Sequence, residues 1–305
     1  MSAPKPPNLV PDPTPEQLSV LSGFERFSFR LADLFSRRLN FLARAWNQTF
    51  MAALTGIAMF RRLNMVGLEN LAGLGPEDRL VLVANHRSFF DFYQVMAILF
   101  ARTPLGRRIF FPVRASFFYD HPLGPLVNLL MSGMSMFPPI QRERRKLRFN
   151  EYALRRCIAE LLLPGTVIGI HPEGTRNKGP DPYTMLKVNR GVGRVALGAG
   201  AVPVVPIFLL GAGNNLAVEI WRNLFEPERW PLDVYFGPPI RLDDLQDRAA
   251  DPVAWKEAAR RCVAGIEAQA ARQREDRAGT PQGAGTASAG APRGSRPAGA
   301  EEPQP

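Results

Sequence analysis

Between residues 64 and 242 the apolar positions fall into two alternating kinds of run. Residues 79–85 (RLVLVAN), 109–115 (IFFPVRA), 166–170 (TVIGI), 202–210 (VPVVPIFLL) and 232–236 (LDVYF) are short, continuous and rich in β-branched or aromatic side chains, which predicts buried strands. Residues 89–100, 123–130, 145–163 and 191–199 instead carry helical patterns. Strands separated by helices predict an α/β fold with a mostly parallel central sheet flanked by helices. In such sheets ligands gather beyond the carboxyl ends of the strands.

Ahead of this region, Thr14-Pro15-Glu16 reads as a helix start, with a Thr cap and proline at the first helical position. From there to residue 62 the pattern is amphipathic: Phe24, Phe27, Phe29, Phe35, Phe41 and Trp46 alternate with Arg26, Arg30, Arg37, Arg38 and Arg44. A basic, aromatic-rich amphipathic segment suits a membrane interface with its arginines at anionic headgroups. It equally suits helices packed on the main domain with a solvated basic face. We take residues 14–62 as an N-terminal amphipathic helical segment that associates with membrane. A polar helix is expected over 251–276. The proline-rich lead, 1–13, and the Ala/Gly/Pro/Ser tail, 277–305, are expected to stay disordered.

Composition narrows the partners more than the fold. The 305 residues carry a formal net charge of +10, which suits anionic lipid, phosphorylated substrates, coenzyme A or nucleic acid. Two distant cysteines, Cys157 and Cys262, argue against a disulfide framework or a Cys/His zinc site. No apolar h-region precedes the domain, so a cytoplasmic location is the default. No stretch reads as a membrane span: residues 195–218 are uncharged, but Pro203 and Pro206 interrupt them.

Of three histidines, His86 and His171 each follow a predicted strand directly. In Asn85-His86-Arg87-Ser88-Phe89-Phe90-Asp91 a histidine and an aspartate stand five residues apart. On a helix of 3.6 residues per turn they would point well apart, so a non-helical turn at Arg87 must bring them together. Paired, Asp91 would fix the imidazole tautomer while the other ring nitrogen takes a proton; alone, the spacing also fits a helix cap. His171-Pro172-Glu173-Gly174-Thr175-Arg176 adds a glycine-opened turn, a carboxylate and a guanidinium able to grip phosphate.

Across residues 66–240 these motifs resemble the glycerolipid acyltransferases of the lysophosphatidic acid acyltransferase type. NHRSFFD is similar to their first block, NHxxxxD. Residues 133–142 (GMSMFPPIQR) resemble the second block, HPEGTR the third (usually FPEGTR), and 202–207 (VPVVPI) the proline-bearing fourth. Framing pieces, VGLEN at 66–70 and FGPPI at 236–240, fit as well. The resemblance makes 63–250 the acyltransferase domain. It implies His86 as general base, Asp91 as its orienting partner, and Arg142, Glu173, Gly174 and Arg176 as the site for the acceptor's phosphate and glycerol. Pro206 would shape the acyl-chain or acceptor pocket. Two positions depart from the pattern: His171 replaces an aromatic or aliphatic residue, either as packing or as an added donor near the phosphate, and Arg114 stands where lysine is frequent.

The function implied is O-acyl transfer from acyl-CoA or acyl carrier protein to the free hydroxyl of a lysophosphatidic-acid-like acceptor in phospholipid synthesis, with no cofactor and no metal. Another lysophospholipid, glycerol 3-phosphate or an amino-acid lipid remains open as acceptor. A non-catalytic basic module for membrane or nucleic acid is the reading of another class, and nucleic acid is disfavoured. The expected location is a membrane surface on the cytoplasmic face, peripheral or monotopic. The run from Arg142 to Arg148 is either a solvated helix face or an attractor of anionic substrate.

Overall fold

The computed structural model describes residues 10–279. Thr14 caps α1 (Pro15–Ser19) with a capping box to Gln17, and Ser22 caps α2 (Gly23–Arg37) likewise with Glu25. α3 (Asn40–Trp46) continues through a π-turn, Asn47–Met51, into α4 (Ala52–Met59). The strands are β1 (Leu63–Val66), β2 (Leu80–Ala84), β3 (Arg108–Phe110), β4 (Val113–Arg114), β5 (Pro139–Ile140), β6 (Thr166–Ile170), β7 (Val204–Leu210) and β8 (Leu232–Phe236). The remaining helices are α5 (Asp91–Arg102), α6 (Ala115–Phe118), α7 (Gly124–Ser132), α8 (Arg148–Glu160), α9 (Gly191–Gly198), α10 (Leu216–Phe225) and α11 (Pro252–Gly279).

Six strands form the main sheet in the order β1-β8-β7-β2-β6-β3. The fold is α/β with a mostly parallel sheet flanked by helices: every neighbouring pair is parallel except β7–β8. The run expected as one strand over 109–115 is two, because the chain leaves the sheet after Phe110 and pairs again as β4 with β5. Side chains alternate between two cores, as a period of two demands. Val81, Val83, Ile168, Val204 and Phe208 face α8, α9 and α11, while Leu80, Leu82, Val167, Val205 and Ile207 face α5.

The two framing glycine motifs meet in space. Gly67 has φ +81°, and a Cβ there would lie 2.0 Å from the Phe236 carbonyl oxygen, so the close approach of VGLEN to FGPPI requires glycine. Asn70 seals the contact by donating to the same oxygen at 3.1 Å.

Two expected boundaries shift. Residues 10–13 are held rather than free, since Arg37 donates to the carbonyls of Val10 at 3.2 Å and Pro11 at 2.9 Å. The last helix runs through residue 279 instead of stopping at 276. The expected disorder of 1–9 and 280–305 lies outside the described residues. Among the described residues, no helix is long and apolar enough to cross a membrane.

Candidate active site

β2 and β6 lie side by side, Val83 opposite Ile170. From β2 the chain goes on to β3, beyond β6; from β6 it goes on to β7, beyond β2. Connections that diverge from adjacent strands open a crevice at their carboxyl ends. His86 and His171 stand there.

The turn after β2 is non-helical from Asn85 to Ser88, and α5 begins at Asp91. This curls the Asp91 carboxylate back under the loop. Its Oδ2 accepts from His86 Nδ1 at 3.0 Å and from the backbone N–H groups of Arg87 at 2.8 Å and Ser88 at 2.9 Å. An ionised carboxylate only accepts, so His86 carries its proton on Nδ1 and leaves Nε2 bare. The Asp91 side chain is 2% exposed and that of His86 20%, so the acid is hidden and the base can be reached.

The second loop clamps the first. Glu173 Oε1 accepts the His86 backbone N–H at 2.9 Å, and Asn177 N–H donates to the His86 carbonyl at 2.7 Å. Glu173 Oε2 accepts from Leu186 N–H at 2.9 Å. Glu173, expected at the acceptor site, is buried on the lining of the second cavity, and both oxygens serve backbone donors, joining three loops. Gly174 has φ +63°, a conformation that favours glycine, and its carbonyl accepts from Arg142 Nη2. Arg176 Nη1 donates to Asn214 Oδ1 at 2.7 Å, and Asn214 also takes the Phe89 N–H at 2.8 Å.

Two cavities meet at this junction. One, of about 550 Å³, holds His86, Arg176 and Asn214 against an aromatic wall that includes Phe89, Tyr93 and Phe118. The other, of about 680 Å³, has Arg142 and Arg190 on its lining and an apolar floor of Leu154, Cys157, Ile170 and Val195. Arg114, Gly174, Thr175 and His171 line both. Among the described residues no carboxylate pairs with Arg114, Arg142 or Arg176. Arg142 is held below the usual arginine range, first by burial and then by the Arg114 charge. Uncompensated guanidiniums this close favour an anion between them.

The structure thus brings His86, Asp91, Gly174 and Arg176 to one cavity mouth, with Arg142 on the adjoining cavity. It does not bring Pro206. That residue lies in β7 opposite Val83, lines neither cavity, and faces Gly237 and Gly265 of α11, so its expected pocket-shaping role is corrected to packing. Asn85 opens the first motif without a role assigned to it, and Asn214 lies outside every motif. Asn85 uses its side-chain amide to exchange two 2.8 Å bonds with the backbone of Leu209, continuing the β2–β7 ladder by one rung. Asn214 holds Arg176 in place. Neither has a local signal, because both partners lie over a hundred residues or a long loop away.

His86, Asp91 and His171 present ligand atoms within 4.8 Å of one another, close enough to suggest a cation. The two imidazole rings are stacked at 8°, however, so their in-plane lone pairs run side by side rather than toward one point. Asp91 Oδ2 is already occupied by three donors. The arrangement is that of an acid–base pair.

Burial, reinforced by the Arg176 charge, lowers His86 to about 4. Burial raises Asp91 to about 6, against the pull of His171 and the two backbone donors. The working form, neutral imidazole over ionised carboxylate, is half formed near pH 6 and nearly complete about one pH unit higher. As pH falls the pair takes up protons between about 6 and 4, and these macroscopic steps belong to both groups together. Activity should accordingly be flat through neutrality and fall on the acid side inside that window. A profile of kcat/KM against pH checks this, and an acid limb centred at or above 7 would contradict it.

Residues 62–210 match the family model described as Acyltransferase. The chain is 32% identical over 185 residues to the chloroplastic 1-acyl-sn-glycerol-3-phosphate acyltransferase LPAT1 of Arabidopsis thaliana, a stretch covering 60% of this chain and 44% of that one. It is 33% identical over 206 residues to a 1-acyl-sn-glycerol-3-phosphate acyltransferase of Chlamydomonas reinhardtii, covering 66% and 55% respectively. The chain spans about half the length of these curated relatives. A crystal structure of the 1-acyl-sn-glycerophosphate acyltransferase of Thermotoga maritima aligns with 82% of this chain and 92% of that one at 17% identity and a TM-score of 0.40.

Proposed function

We propose, from the match of residues 62–210 to the acyltransferase family model, that the protein transfers a fatty acyl group from a thioester donor, acyl-CoA or acyl carrier protein, to the free hydroxyl of a lysophosphatidic-acid-like acceptor. The observation that carries the reading is the His86–Asp91 pair, with His86 lining the same cavity as Arg176, a guanidinium with no carboxylate partner among the described residues. Its relatives' named acceptor, a 1-acyl-sn-glycerol 3-phosphate, bears both a hydroxyl and a phosphate, which is what a base beside a guanidinium without a carboxylate partner suits.

In this mechanism His86 Nε2 takes the proton of the acceptor hydroxyl as its oxygen attacks the thioester carbonyl carbon. The tetrahedral intermediate collapses with a new C–O bond and a broken C–S bond, and the leaving thiolate recovers the proton from His86. Asp91 keeps the ring in the Nδ1–H tautomer and stabilises the imidazolium between the two transfers. Arg176 and Arg142 bind phosphate, Arg114 adds charge between the cavities, and the apolar floor of the larger cavity takes an acyl chain. No metal or cofactor enters the scheme.

Peripheral attachment to a membrane surface belongs to the same proposal. Phe27 is 59% and Phe41 65% exposed, as are Leu123 at 57%, which caps α7, and Leu126 at 51% on it. Trp46 ties α3 to α7 by donating to the Leu130 carbonyl at 2.9 Å. Phe117, at the mouth of the catalytic cavity, is also exposed. Apolar side chains on neighbouring helices with arginines beside them suit an anionic bilayer interface.

The test is acyl transfer on vesicles carrying the acceptor, read by thiol release and product lipid, with a panel of acceptors and both donor types. Lysophosphatidate should be preferred, and the protein should sediment with the vesicles. Arg176→Ala should weaken phosphate-bearing acceptors roughly tenfold or more through KM, the loss typical of one charge-assisted contact of about 1.5–3 kcal/mol. Preference for an acceptor without phosphate would sink the assignment.

A further inference from the structure

His171 departs from the resembled motif, and the mechanism above leaves it without a task. Its Nδ1 lies 3.0 Å from the Ala84 carbonyl oxygen. A carbonyl only accepts, so that nitrogen carries the proton and the ring is anchored to the last residue of β2. From this anchor the ring lies flat against His86, with centroids 3.8 Å apart and planes 8° from parallel. Phe92 packs against His171 at 4.2 Å, and Phe111 against Phe92 at 4.9 Å. His171 is the link that joins the base to this aromatic packing.

The His86 side chain makes one hydrogen bond, to Asp91. A single bond fixes one ring atom but leaves the plane free to pivot about it. A flat neighbour at stacking distance removes that freedom, because tilting His86 in its direction would drive one ring into the other. We propose that His171 is a positioning residue for acyl transfer: by stacking, it fixes the plane of His86 so that Nε2 faces the reacting hydroxyl. The inference rests on His86 being the base. A neutral π-face also stays beneath His86 when that ring becomes a cation, which favours the charged form. Stacking needs a flat ring and the anchor needs a donor, so the two contributions separate by substitution.

His171→Phe keeps a ring without the anchor, His171→Gln keeps a donor without a ring, and His171→Ala removes both. In the vesicle assay, the Ala and Gln variants should lose on the order of tenfold in kcat, with KM for donor and acceptor within about twofold of wild type, because misorientation acts on the chemical step. The Phe variant should keep about half of kcat or more on the same argument. Rates are normalised to folded protein by circular dichroism, and if the Ala variant does not fold the Gln–Phe comparison decides. Wild-type kcat without the ring, a loss confined to KM, or a Phe variant as slow as Gln each overturns the proposal. An inactive wild type would instead refute the acyl-transfer reading. Active wild type, dead His86→Ala and indifferent His171 variants would refute only this inference.

Discussion

Replacing His86 by alanine should lower kcat by about a hundredfold to ten-thousandfold, the usual contribution of a positioned general base, while the protein stays folded. The two halves of this expectation have separate structural grounds. The loss follows because His86 is the imidazole that hydrogen-bonds Asp91 through Nδ1 while leaving Nε2 bare; its neighbour His171 spends its Nδ1 proton on the Ala84 carbonyl and makes no hydrogen bond to Asp91. Folding survives because the contacts that clamp this position are made by its backbone: Glu173 takes the His86 N–H and Asn177 gives to the His86 carbonyl, whatever the side chain. Asp91 keeps its two backbone donors. Asp91→Asn is a less clean probe, since it disturbs the tautomer and the Arg87–Ser88 turn together. Turnover measured by thiol release, with a thermal midpoint taken alongside, settles the matter. A folded His86→Ala protein that turns over like wild type would end the mechanism.

How far the chain announces this site depends on the range of the contacts. The NHRSFFD turn is legible because its hydrogen bonds close within five residues, and the strand before it is a continuous apolar run. β7 is legible for the same reason. β1 is not, being four partly exposed residues at a sheet edge, and α10 is not read from the sequence although Asn215 caps it. The reversal of β8 against β7 has no local cause, since the two strands join through α10 and either direction would bury LDVYF. The structural ties of Glu173 are not legible in the sequence, where a carboxylate in a glycine turn looks merely available. Its fate depends on His86 and Leu186, brought together by the sheet. Pro206 misleads in another way: the strand's period of two sends it toward α11, and only the fold tells which face that is.

The remaining large effect concerns Arg156. Its side chain is fully buried within α8, where Nε donates to Glu160 at 2.8 Å and Nη1 to Tyr152 at 2.8 Å. The same guanidinium reaches α2, pairing with Asp33 and donating to Ser36 Oγ at 2.9 Å. Its Cζ also lies 4.8 Å from the centre of the Phe137 ring, at the start of the segment that leads to Arg142. Arg156→Met should therefore cost about 3–5 kcal/mol, the penalty for stranding the partners of a buried ion pair. Partial compensation pulls toward the lower figure, because Asp33 retains Arg37 and Glu160 retains Arg108. At roughly 2–4 °C per kcal/mol, the thermal midpoint should fall by ~10 °C. Adding Asp33→Asn to the variant should return part of the loss, since it removes a charge left without its arginine. A single substitution costing under about 1 kcal/mol in urea unfolding, the range of an exposed pair, would mean that the Arg156 cluster does little to hold α2 to the domain. The apolar face of α2 and its remaining ties, such as Glu25 to Lys146 at 2.8 Å, would then carry that attachment.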